Sequence, residues 1–426
     1  MTSAFEPVLT WNAGVPDAQR IEVSLSRGGY QGLAKVLAEQ TPAELIELVK
    51  RSELRGRGGA GFPTGAKWGF LPKDGRPHYL ICNADESEPG TFKDRFLMET
   101  DPHLVIEGCL LAAYAIEAPV CYIYIRGEFL EQTRVLERAL AEAREHGYLG
   151  RNIRGSGFDC EVYLHRGAGA YECGEETALL ESLEGKRGLP RVKPPFPASV
   201  GLFGCPTAIN NVETLANLPC IVTRGADWYR SIGKEKNTGP KLYCLSGHVR
   251  RPGVYEGPLG VPLRELIFEH AGGLREGHRL KAVIPGGSSV PVLTEEHLDT
   301  PMDFDSLLRA GSMLGSAGVI VMDETTCMVW TAAKLMQFYR HESCGKCTPC
   351  REGTDWLLQI LERLEHGQGR AGDIDLLADV CDNIGGKTLC PFGDGAVVPV
   401  TSTLARFGEE YEFHMREKRC PTSGTD

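Results

Sequence analysis

The sequence predicts an α/β fold followed by a smaller α+β module and a helical C-terminal region. Three observations support this organisation. Strand-like and helix-like segments alternate from His78 to about Gly185, short β segments follow from Lys241, and helical periodicity dominates after Thr326. Alternating strands and helices form parallel sheets with helices packed on them. With 426 residues, the chain is also long enough for about three domains.

The first elements have recognisable boundaries. Thr41-Pro42-Ala43-Glu44 is a capping box with proline at the first helical position, and it predicts a helix that ends near Leu54. Further segments with clear periodicity are the strands 78–82, 120–125 and 159–165, and the helices 101–116 and 129–146. We also expect a helix to start at Asn210-Asn211-Val-Glu-Thr214.

Composition excludes several classes of protein. Lys and Arg number 46 against 57 Asp and Glu, and a net charge of −11 argues against nucleic-acid binding. No apolar run reaches the roughly 18 residues that a membrane span needs, and the start has neither a signal-peptide nor a transit-peptide pattern. The 15 cysteines are odd in number and mostly lie singly in apolar surroundings, as expected for buried thiols in a reducing compartment.

Four cysteines have the spacing of metal ligands. Cys344, Cys347 and Cys350 form C-x2-C-x2-C, and Cys390 follows forty residues later before Pro-Phe-Gly. This spacing is typical of a [4Fe–4S] cluster, with one thiolate for each iron. Zinc is the alternative metal, although structural zinc sites usually use two separated C-x2-C pairs, and unligated thiols are a further alternative. Cys381 competes for the fourth position, but its apolar helical surroundings favour core packing.

Two glycine-rich segments predict a ligand pocket. The first, Gly56 to Trp68, formally matches G-x-G-x-x-G, yet a helix precedes it, so the dinucleotide fingerprint lacks its context. Its backbone amides can still bind an anion, Arg57 and Lys67 can add charge to a phosphate, and Phe62 and Phe70 can stack on a flat ring. The alternative is a flexible loop.

Acidic segments follow a predicted strand and the second glycine turn. Asn83-Ala-Asp85-Glu86-Ser87-Glu88 comes after the strand, where carboxylates can bind ribose hydroxyls and repel a 2′-phosphate, which favours NAD over NADP. Gly174-Glu175-Glu176 stands at a helix start, where dipole complementation alone could explain the acids. Solvated acidic turns and a solvated Lys193 are the alternatives.

Four long motifs together carry a family resemblance. They begin at Arg55 (RGRGGAGFPTGAKW), Cys82 (CNADESEPGTFKDR), Gly167 (GAGAYECGEETAL) and Glu342 (ESCGKCTPCREG). The chain resembles the NADH-binding flavoprotein subunit of respiratory complex I, which is the F subunit of bacterial NADH-quinone oxidoreductase and the 51-kDa-type subunit of mitochondria. The same family includes the flavin subunits of NAD-reducing hydrogenases and formate dehydrogenases, so a diaphorase subunit is the alternative within the enzyme class. A flavin-free iron–sulfur or zinc interaction module is the alternative outside it.

The resemblance implies FMN, NADH and one [4Fe–4S] cluster, with no catalytic protein residue because hydride passes directly to FMN. It implies ligation of the cluster by Cys344, Cys347, Cys350 and Cys390, and FMN contacts from Gly56, Arg57, Gly58, Gly59, Lys67, Asn83, Asp85, Glu86, Ser87, Tyr171, Gly174, Glu175, Asn210, Asn211 and Thr214. It implies NADH contacts from Phe62, Lys67, Phe70, Glu88, Glu176, Lys193 and Phe196. Cys420 has no role in the family pattern, and Glu172 stands where the family commonly has an apolar residue.

The resemblance also implies domains, partners and location. The expected segments are a helical or irregular 1–55, a Rossmann-like FMN- and NADH-binding domain at 56–238, a ubiquitin-like β-grasp domain of the soluble-ligand-binding type at 239–325, and a helical [4Fe–4S] domain at 326–426. Electrons would pass from NADH through FMN and the cluster to partner subunits and quinone. The expected partners are the thioredoxin-like [2Fe–2S] subunit and the large iron–sulfur subunit. The expected location is peripheral, on the cytoplasmic face of the bacterial inner membrane.

Overall fold

A computed structural model describes residues 5–422, which form two compact units. The first unit contains the chain up to Ser87 together with Phe92–Tyr243 and Val254–Val261. The second contains Glu88–Thr91, Cys244–Gly253 and the chain from Pro262 onward. Residues 1–4 and 423–426, which belong to the first and last predicted segments, lie outside the described residues.

Helices and strands alternate through the first unit, and helices dominate the end of the chain. The strands are β1 (Tyr79–Ala84), β2 (Val120–Ile125), β3 (Glu161–Arg166), β4 (Thr207–Asn211), β5 (Gly233–Lys234), β6 (Asn237–Thr238), β7 (Pro240–Gly247), β8 (Gly253–Pro258), β9 (Leu280–Ile284) and β10 (Gly318–Asp323). The helices are α1 (Ile21–Ser26), α2 (Gln31–Glu39), α3 (Pro42–Ser52), α4 (Thr64–Trp68), α5 (Lys93–Thr100), α6 (Pro102–Ala115), α7 (Leu130–Glu145), α8 (Glu176–Leu183), α9 (Val212–Ala216), α10 (Leu218–Arg224), α11 (Ala226–Arg230), α12 (Leu263–Glu265), α13 (Phe304–Arg309), α14 (Met328–Glu342), α15 (Thr348–Glu365), α16 (Asp373–Ile384) and α17 (Phe392–Glu417).

The first unit is built on a four-stranded parallel sheet in the order β3-β2-β1-β4. Both faces of the sheet are buried. Leu80 and Cys82 of β1 point into the larger apolar core with α6, whereas Ile81 belongs to a second cluster with Leu179 and Leu180 of α8. Burial on both faces explains why these strands are apolar throughout rather than alternating. The predicted α/β fold with a parallel sheet is confirmed.

Local sequence sets the helix boundaries in this unit. The Thr41 hydroxyl accepts the Glu44 N–H at 3.3 Å, and the Glu44 carboxylate accepts the Thr41 N–H at 2.7 Å, so the predicted capping box of α3 is confirmed. The Asp101 side chain accepts the Leu104 N–H at 3.1 Å and starts α6 just before Pro102.

One strand was not predicted. The predicted helix start within Asn210–Thr214 is confirmed as α9, which begins at Val212 with Asn211 as its N-cap, but Asn210 and Asn211 also end the strand β4. The strand was missed because Asn and Ala are poor strand formers, and its pairing with β1 overrides that preference. The irregular start of the chain also contains α1 and α2.

The remaining part of the chain contains a second sheet and a helical bundle. The sheet has the order β8-β7-β10-β9, with β10 parallel to β7 and antiparallel to β9. Helices α14, α15, α16 and α17 pack on one another and form the predicted bundle. Within residues 5–422, no helix combines the length and the apolarity needed to cross a bilayer.

Candidate functional site

The predicted ligand residues of the first unit lie at the carboxyl edge of its parallel sheet. The chain passes from β1 through β2 to β3 on one side, and then β4 pairs with the other side of β1. Ligands of open α/β sheets bind in the crevice where the strand order reverses in this way. Asn83 near the end of β1 lies opposite Asn211, the last residue of β4, so both amides border this crevice.

The first glycine loop is held tightly against the end of β4. The Gly56 N–H donates to the Phe62 carbonyl at 2.9 Å, and the Arg55 side chain donates to the Gly61 carbonyl at 2.8 Å. A Cβ on Gly58 would lie 3.0 Å from the Cβ of Asn211, which is tighter than ordinary side-chain contact. The loop is therefore a fixed part of the crevice wall rather than a flexible linker.

Two lysines bridge three segments around one carboxylate. The Glu176 carboxylate lies 3.2 Å from Lys67 Nζ and 3.1 Å from Lys193 Nζ, and Lys67 also donates to the Ile209 carbonyl of β4 at 3.0 Å. Burial alone would raise the pKa of Glu176, but the two ammonium groups lower it. Lys67 from the glycine loop, Glu176 from α8 and Lys193 from the proline-rich loop are thus brought together as charged partners.

Exposed aromatic rings accompany this charged group. Phe62, Phe70 and Phe196 are 49%, 61% and 57% exposed, although large apolar side chains are normally covered by the fold. The Phe62 and Phe70 rings lie 6.1 Å apart at an angle of 53°. Trp68, which lies between them in the sequence, is buried instead, and its indole N–H donates to the Asn210 side chain at 2.9 Å. The exposed rings offer faces on which a planar ligand can stack.

The acidic turn after β1 connects to the second glycine turn. Asn83 Nδ2 donates to the Gly174 carbonyl at 2.9 Å, and the Ser87 hydroxyl donates to Asp85 at 2.8 Å. A Cβ on Gly174 would lie 3.6 Å from the Asp85 carbonyl. The two turns therefore lie against each other, and the predicted residues of both line the same edge.

Glu86 in this turn is buried and caps α5. Its carboxylate accepts the N–H groups of Asp94 and Arg95 at 2.8 and 2.9 Å. Burial, together with the negative charge of Asp94, raises the pKa of Glu86 to about 7.

The structure shows an unexpected position for the Arg57 side chain. The guanidinium is fully buried beneath the loop, where Nη2 donates to the Thr238 carbonyl at 2.6 Å and to the Tyr229 hydroxyl at 3.1 Å. Its Nε and Nη1 atoms have no hydrogen-bond partner among the described residues. The backbone N–H of Arg57 donates to the Thr214 hydroxyl at 2.8 Å. Any effect of the Arg57 charge on a bound phosphate is therefore exerted from below the loop.

The remaining predicted site residues to be placed are Tyr171, Glu175, Gly59 and Glu88. Tyr171 begins a short 3-10 helix that ends at Gly174, and Glu175 caps α8 by accepting the Thr177 and Ala178 N–H groups at 2.8 and 2.9 Å. Gly59 lies in the glycine loop. Glu88 belongs to the second unit, where its carboxylate accepts the Ser289 N–H at 2.8 Å. Glu172, the departure from the family pattern, is buried.

A buried ionic network under the crevice was not predicted from the sequence. Glu213 lies 2.9 Å from Lys93 and 2.6 Å from Lys241, and Lys93 lies 2.7 Å from Asp94. Burial alone would raise the pKa of Glu213, but Lys241 and Lys93 hold it at about 2. Burial lowers the pKa of Lys241 to about 8, against the opposing effect of Glu213. These residues lie on α5, α9 and β7, which are far apart in the chain, so no local sequence pattern signals this network.

The four predicted cluster ligands lie at helix ends in the second unit. Cys344 follows the end of α14, Cys347 is the N-cap of α15, and Cys350 lies in its first turn. Cys390 precedes the start of α17. The end of α14 meets the start of α17, where the rings of Tyr339 and Phe392 pack 5.7 Å apart. The fold therefore brings Cys390 toward the cysteine triplet.

Cys381, the competing fourth cysteine, is buried in α16, as its apolar surroundings predicted. Burial and the charge of Asp382 raise its pKa to about 12.

These residues fit the predicted cofactors. Exposed rings and close-packed glycine backbone at a sheet crevice match a ring system that carries phosphates. The buried Nε and Nη1 atoms of Arg57 have no hydrogen-bond acceptor among the described residues. The four thiols at three helix ends are the right number and type of ligand for a [4Fe–4S] cluster, with one thiolate for each iron.

Fold and site together define a flavin- and iron–sulfur-binding oxidoreductase component, and comparisons with known proteins agree. Three family models match in order along the chain. These are the Nuo51 FMN-binding domain at residues 49–220, the SLBB domain at 241–321 and the NADH-ubiquinone oxidoreductase-F iron-sulfur binding region at 330–414.

Whole-length relatives give the family. The chain is 59% identical to the second NADH-quinone oxidoreductase F subunit of Rhizobium meliloti, with 98% of this chain and 99% of that protein covered. It is 57% identical to the NADH-quinone oxidoreductase F subunit of Mycobacterium tuberculosis (strain H37Rv), with 93% and 90% covered. A solved NAD+-reducing [NiFe]-hydrogenase in the air-oxidized state has a TM-score of 0.84 and 36% identity, with 97% of this chain and 67% of that chain covered. The chain belongs to the family of NADH-quinone oxidoreductase F subunits.

Several sequence predictions are confirmed by these matches. They are the family, the three-part fold, the oxidoreductase class, and FMN, NADH and a [4Fe–4S] cluster as cofactors. A flavin-free interaction module is wrong, because the FMN-binding domain matches. The diaphorase alternative is less supported, with 36% identity to the hydrogenase against 59% to the quinone oxidoreductase relative.

Replacement of Glu86 by Gln should change the pH dependence of stability. Because the pKa of Glu86 is raised from 4.5 to about 7, the folded state binds a proton more tightly than the unfolded state. Wild-type stability should therefore fall, relative to Glu86→Gln, as pH rises from about 4.5 through about 7, by at most about 3 kcal/mol. Urea unfolding of both proteins at several pH values measures this difference, and Glu131→Gln on exposed α7 controls for loss of a carboxylate. A pH-independent difference would contradict the assignment.

Proposed function

We propose that this chain is the NADH-oxidising subunit of respiratory complex I. When bound, FMN accepts two electrons from NADH as a hydride, and a [4Fe–4S] cluster accepts electrons one at a time. The observation that carries the proposal is the convergence of five predicted segments on one crevice, at the carboxyl ends of β1 and β4. They are the first glycine loop, the acidic turn, the second glycine turn, the proline-rich loop and the segment Asn210–Thr214.

The division of the chain follows from this function. We propose that residues 56–238 bind FMN and NADH, that residues 239–325 form the β-grasp module, and that residues 326–426 hold the cluster, with 1–55 as an N-terminal segment. Within the first unit, the FMN residues are those of the two glycine turns and the ends of β1 and β4.

The protein's role toward NADH is to bind and to orient. Phe62, Phe70 and Phe196 present exposed ring faces for stacking. The lysine pair holds the Glu176 carboxylate ionised and fixed, so that it can accept hydrogen bonds from a ribose. No side chain needs to donate or accept a proton, because the redox chemistry belongs to the cofactors.

The same group of charges supports a preference for NADH over NADPH. Glu175 and Glu176 stand side by side, and Lys193 lies 2.8 Å from Glu175 and 3.1 Å from Glu176. With the lysines already paired to carboxylates, no cation in this group remains to neutralise a 2′-phosphate.

The four cysteines Cys344, Cys347, Cys350 and Cys390 are the proposed cluster ligands. As a component of complex I, the chain assembles with other subunits of that complex. We propose the thioredoxin-like [2Fe–2S] subunit and the large iron–sulfur subunit as its direct neighbours, on the cytoplasmic face of the bacterial inner membrane. These neighbours would supply acceptors for electrons from a cluster held by the four cysteines, with quinone as the destination.

An anaerobic absorption spectrum of the purified chain tests the function. We expect flavin bands that NADH bleaches, together with the broad absorption of a [4Fe–4S] cluster. Cys390→Ser should remove the cluster absorption and most of the iron, because one corner loses its thiolate. Cys381→Ser, the matched control within the same region, should keep both. A colourless protein that contains zinc but no flavin overturns the proposal, and the reverse outcome for the two variants overturns the ligand assignment.

Replacement of Phe70 by Ala should weaken NADH binding. Loss of a stacking ring worth about 1 kcal/mol should raise KM for NADH about fivefold with FMN content unchanged. Phe203→Ala is the matched control. Phe203 is 57% exposed and packs on Tyr79, at the opposite end of β1 from Asn83. Steady-state kinetics with ferricyanide as acceptor measure both, and equal effects from the two variants would argue against stacking at Phe70.

Affinity purification of the tagged chain from its own cells distinguishes the parent complex. Co-purification with iron–sulfur subunits and NADH:quinone activity is the expected result. A [NiFe] or molybdenum subunit in its place would assign the chain to a hydrogenase or a formate dehydrogenase.

A further inference from the structure

Four metal-ligating side chains meet at one end of the helical bundle in the second unit. They are Cys327, Glu365, His414 and Cys420, and one ligand atom from each lies within 4.8 Å of the others. Cys327 is the N-cap of α14, Glu365 is the last residue of α15, His414 lies near the end of α17, and Cys420 follows α17. The proposed electron path uses none of them, and Cys420 has no role in the family pattern.

The three distances among Cys327, Glu365 and His414 are close to the edges of a tetrahedron around a metal, and the Cys420 sulfur lies within 4.8 Å of all three. His414 Nε2 lies 3.2 Å from Cys327 Sγ and 3.9 Å from the Glu365 carboxylate, which lies 3.8 Å from Cys327 Sγ. Zinc bond lengths of about 2.0 to 2.3 Å with tetrahedral angles separate the ligand atoms by roughly 3.3 to 3.8 Å. The side chains would need only small adjustments to accept such an ion.

The histidine is oriented as a metal ligand. His414 Nδ1 lies 3.1 Å from the Leu364 carbonyl, which can only accept, so Nδ1 carries the proton and the Nε2 lone pair faces the other three side chains. Metal-bound histidines commonly donate their second ring N–H to a carbonyl in this way. The Cys327 sulfur in turn accepts the Trp330 N–H at 3.4 Å, and both His414 and Cys327 are buried.

The group of four side chains is accessible and distinct from the iron–sulfur cysteines. A groove lined by Thr326, Trp330, Glu365 and Cys420 leads to it, so an ion can reach it from solvent. Helix α14 separates Cys327 at its start from Cys344 beyond its end. Its 15 residues span about 22 Å at 1.5 Å per residue. One ion cannot occupy both places.

We propose that Cys327, Glu365, His414 and Cys420 bind one zinc ion in a closed structural site. Two thiolates, a neutral imidazole and a carboxylate form a donor set that suits zinc and excludes magnesium and calcium, which require oxygen ligands. Binding replaces the two thiol protons, which pass to solvent, and no electron is transferred. The ion fastens the segment after α17 to the ends of α15 and α17 and the start of α14.

Metal analysis of the full-length holoprotein tests the site. After passage through a chelator-containing buffer, the wild type should retain one zinc ion per chain beside its cluster iron. Cys420→Ser should lose the zinc but keep the iron and the flavin, because Cys420 lies outside the bundle helices. Cys205→Ser, in a half-buried position of the first unit, is the matched control and should retain all three. In thermal melts, addition of a chelator should lower the melting temperature of the wild type but not that of Cys420→Ser.

Zinc K-edge absorption spectroscopy identifies the ligands independently of the iron. A shell of two sulfurs near 2.3 Å and two nitrogen or oxygen atoms near 2.0 to 2.1 Å is expected, within roughly 0.1 Å. A four-sulfur shell would assign the zinc to the iron–sulfur cysteines and overturn the proposal. It is equally overturned if the wild type retains no zinc after incubation with the metal, if Cys420→Ser binds it as well, or if mass spectrometry finds a Cys327–Cys420 disulfide.

Discussion

The ligand crevice of the first unit depends on the buried carboxylate of Glu213. This group lies between Lys93 and Lys241, and the backbone N–H of Glu213 donates to the Asn211 side chain at 3.0 Å. Removal of one partner from such a buried pair leaves an uncompensated charge, at a cost of about 3–5 kcal/mol. The network therefore fixes the exit of β4, the start of α5 and the start of β7 relative to one another.

The crevice above this network is defined by close backbone packing and by charge. Gly58 and Gly174 allow their loops to lie against Asn211 and Asp85, and side chains there would push the loops apart. Lys67 and Lys193 then connect those loops through Glu176. Because these groups are held before any ligand arrives, a bound cofactor loses little free energy to their ordering. This preorganisation suits a protein that supplies orientation and leaves the redox chemistry to its cofactors.

The helical bundle places different chemistry at its two ends. The thiols proposed for the cluster lie beyond the end of α14, at the start of α15 and before α17. The group of Cys327, Glu365, His414 and Cys420 lies at the opposite ends of the same helices. Helix ends are natural positions for metal ligands, because loops there can direct side chains inward while the helices hold them apart. A zinc ion at one end would stabilise the frame on which the iron–sulfur cluster depends at the other.

The sequence by itself determined the family, the cofactors and most of the elements. Periodicity and capping residues act locally, so α3, α6 and β2 could be predicted within a few residues, and the cysteine spacing encodes ligand geometry directly. Only the tertiary structure decided that Asn210 and Asn211 end a strand, that the Arg57 guanidinium is buried, and that Glu213 joins Lys93 and Lys241. It also joined Cys420 to His414, six residues apart in the chain, and to Cys327, almost a hundred residues earlier. Such contacts depend on which distant parts of the chain meet after folding, and no local pattern of residues predicts them.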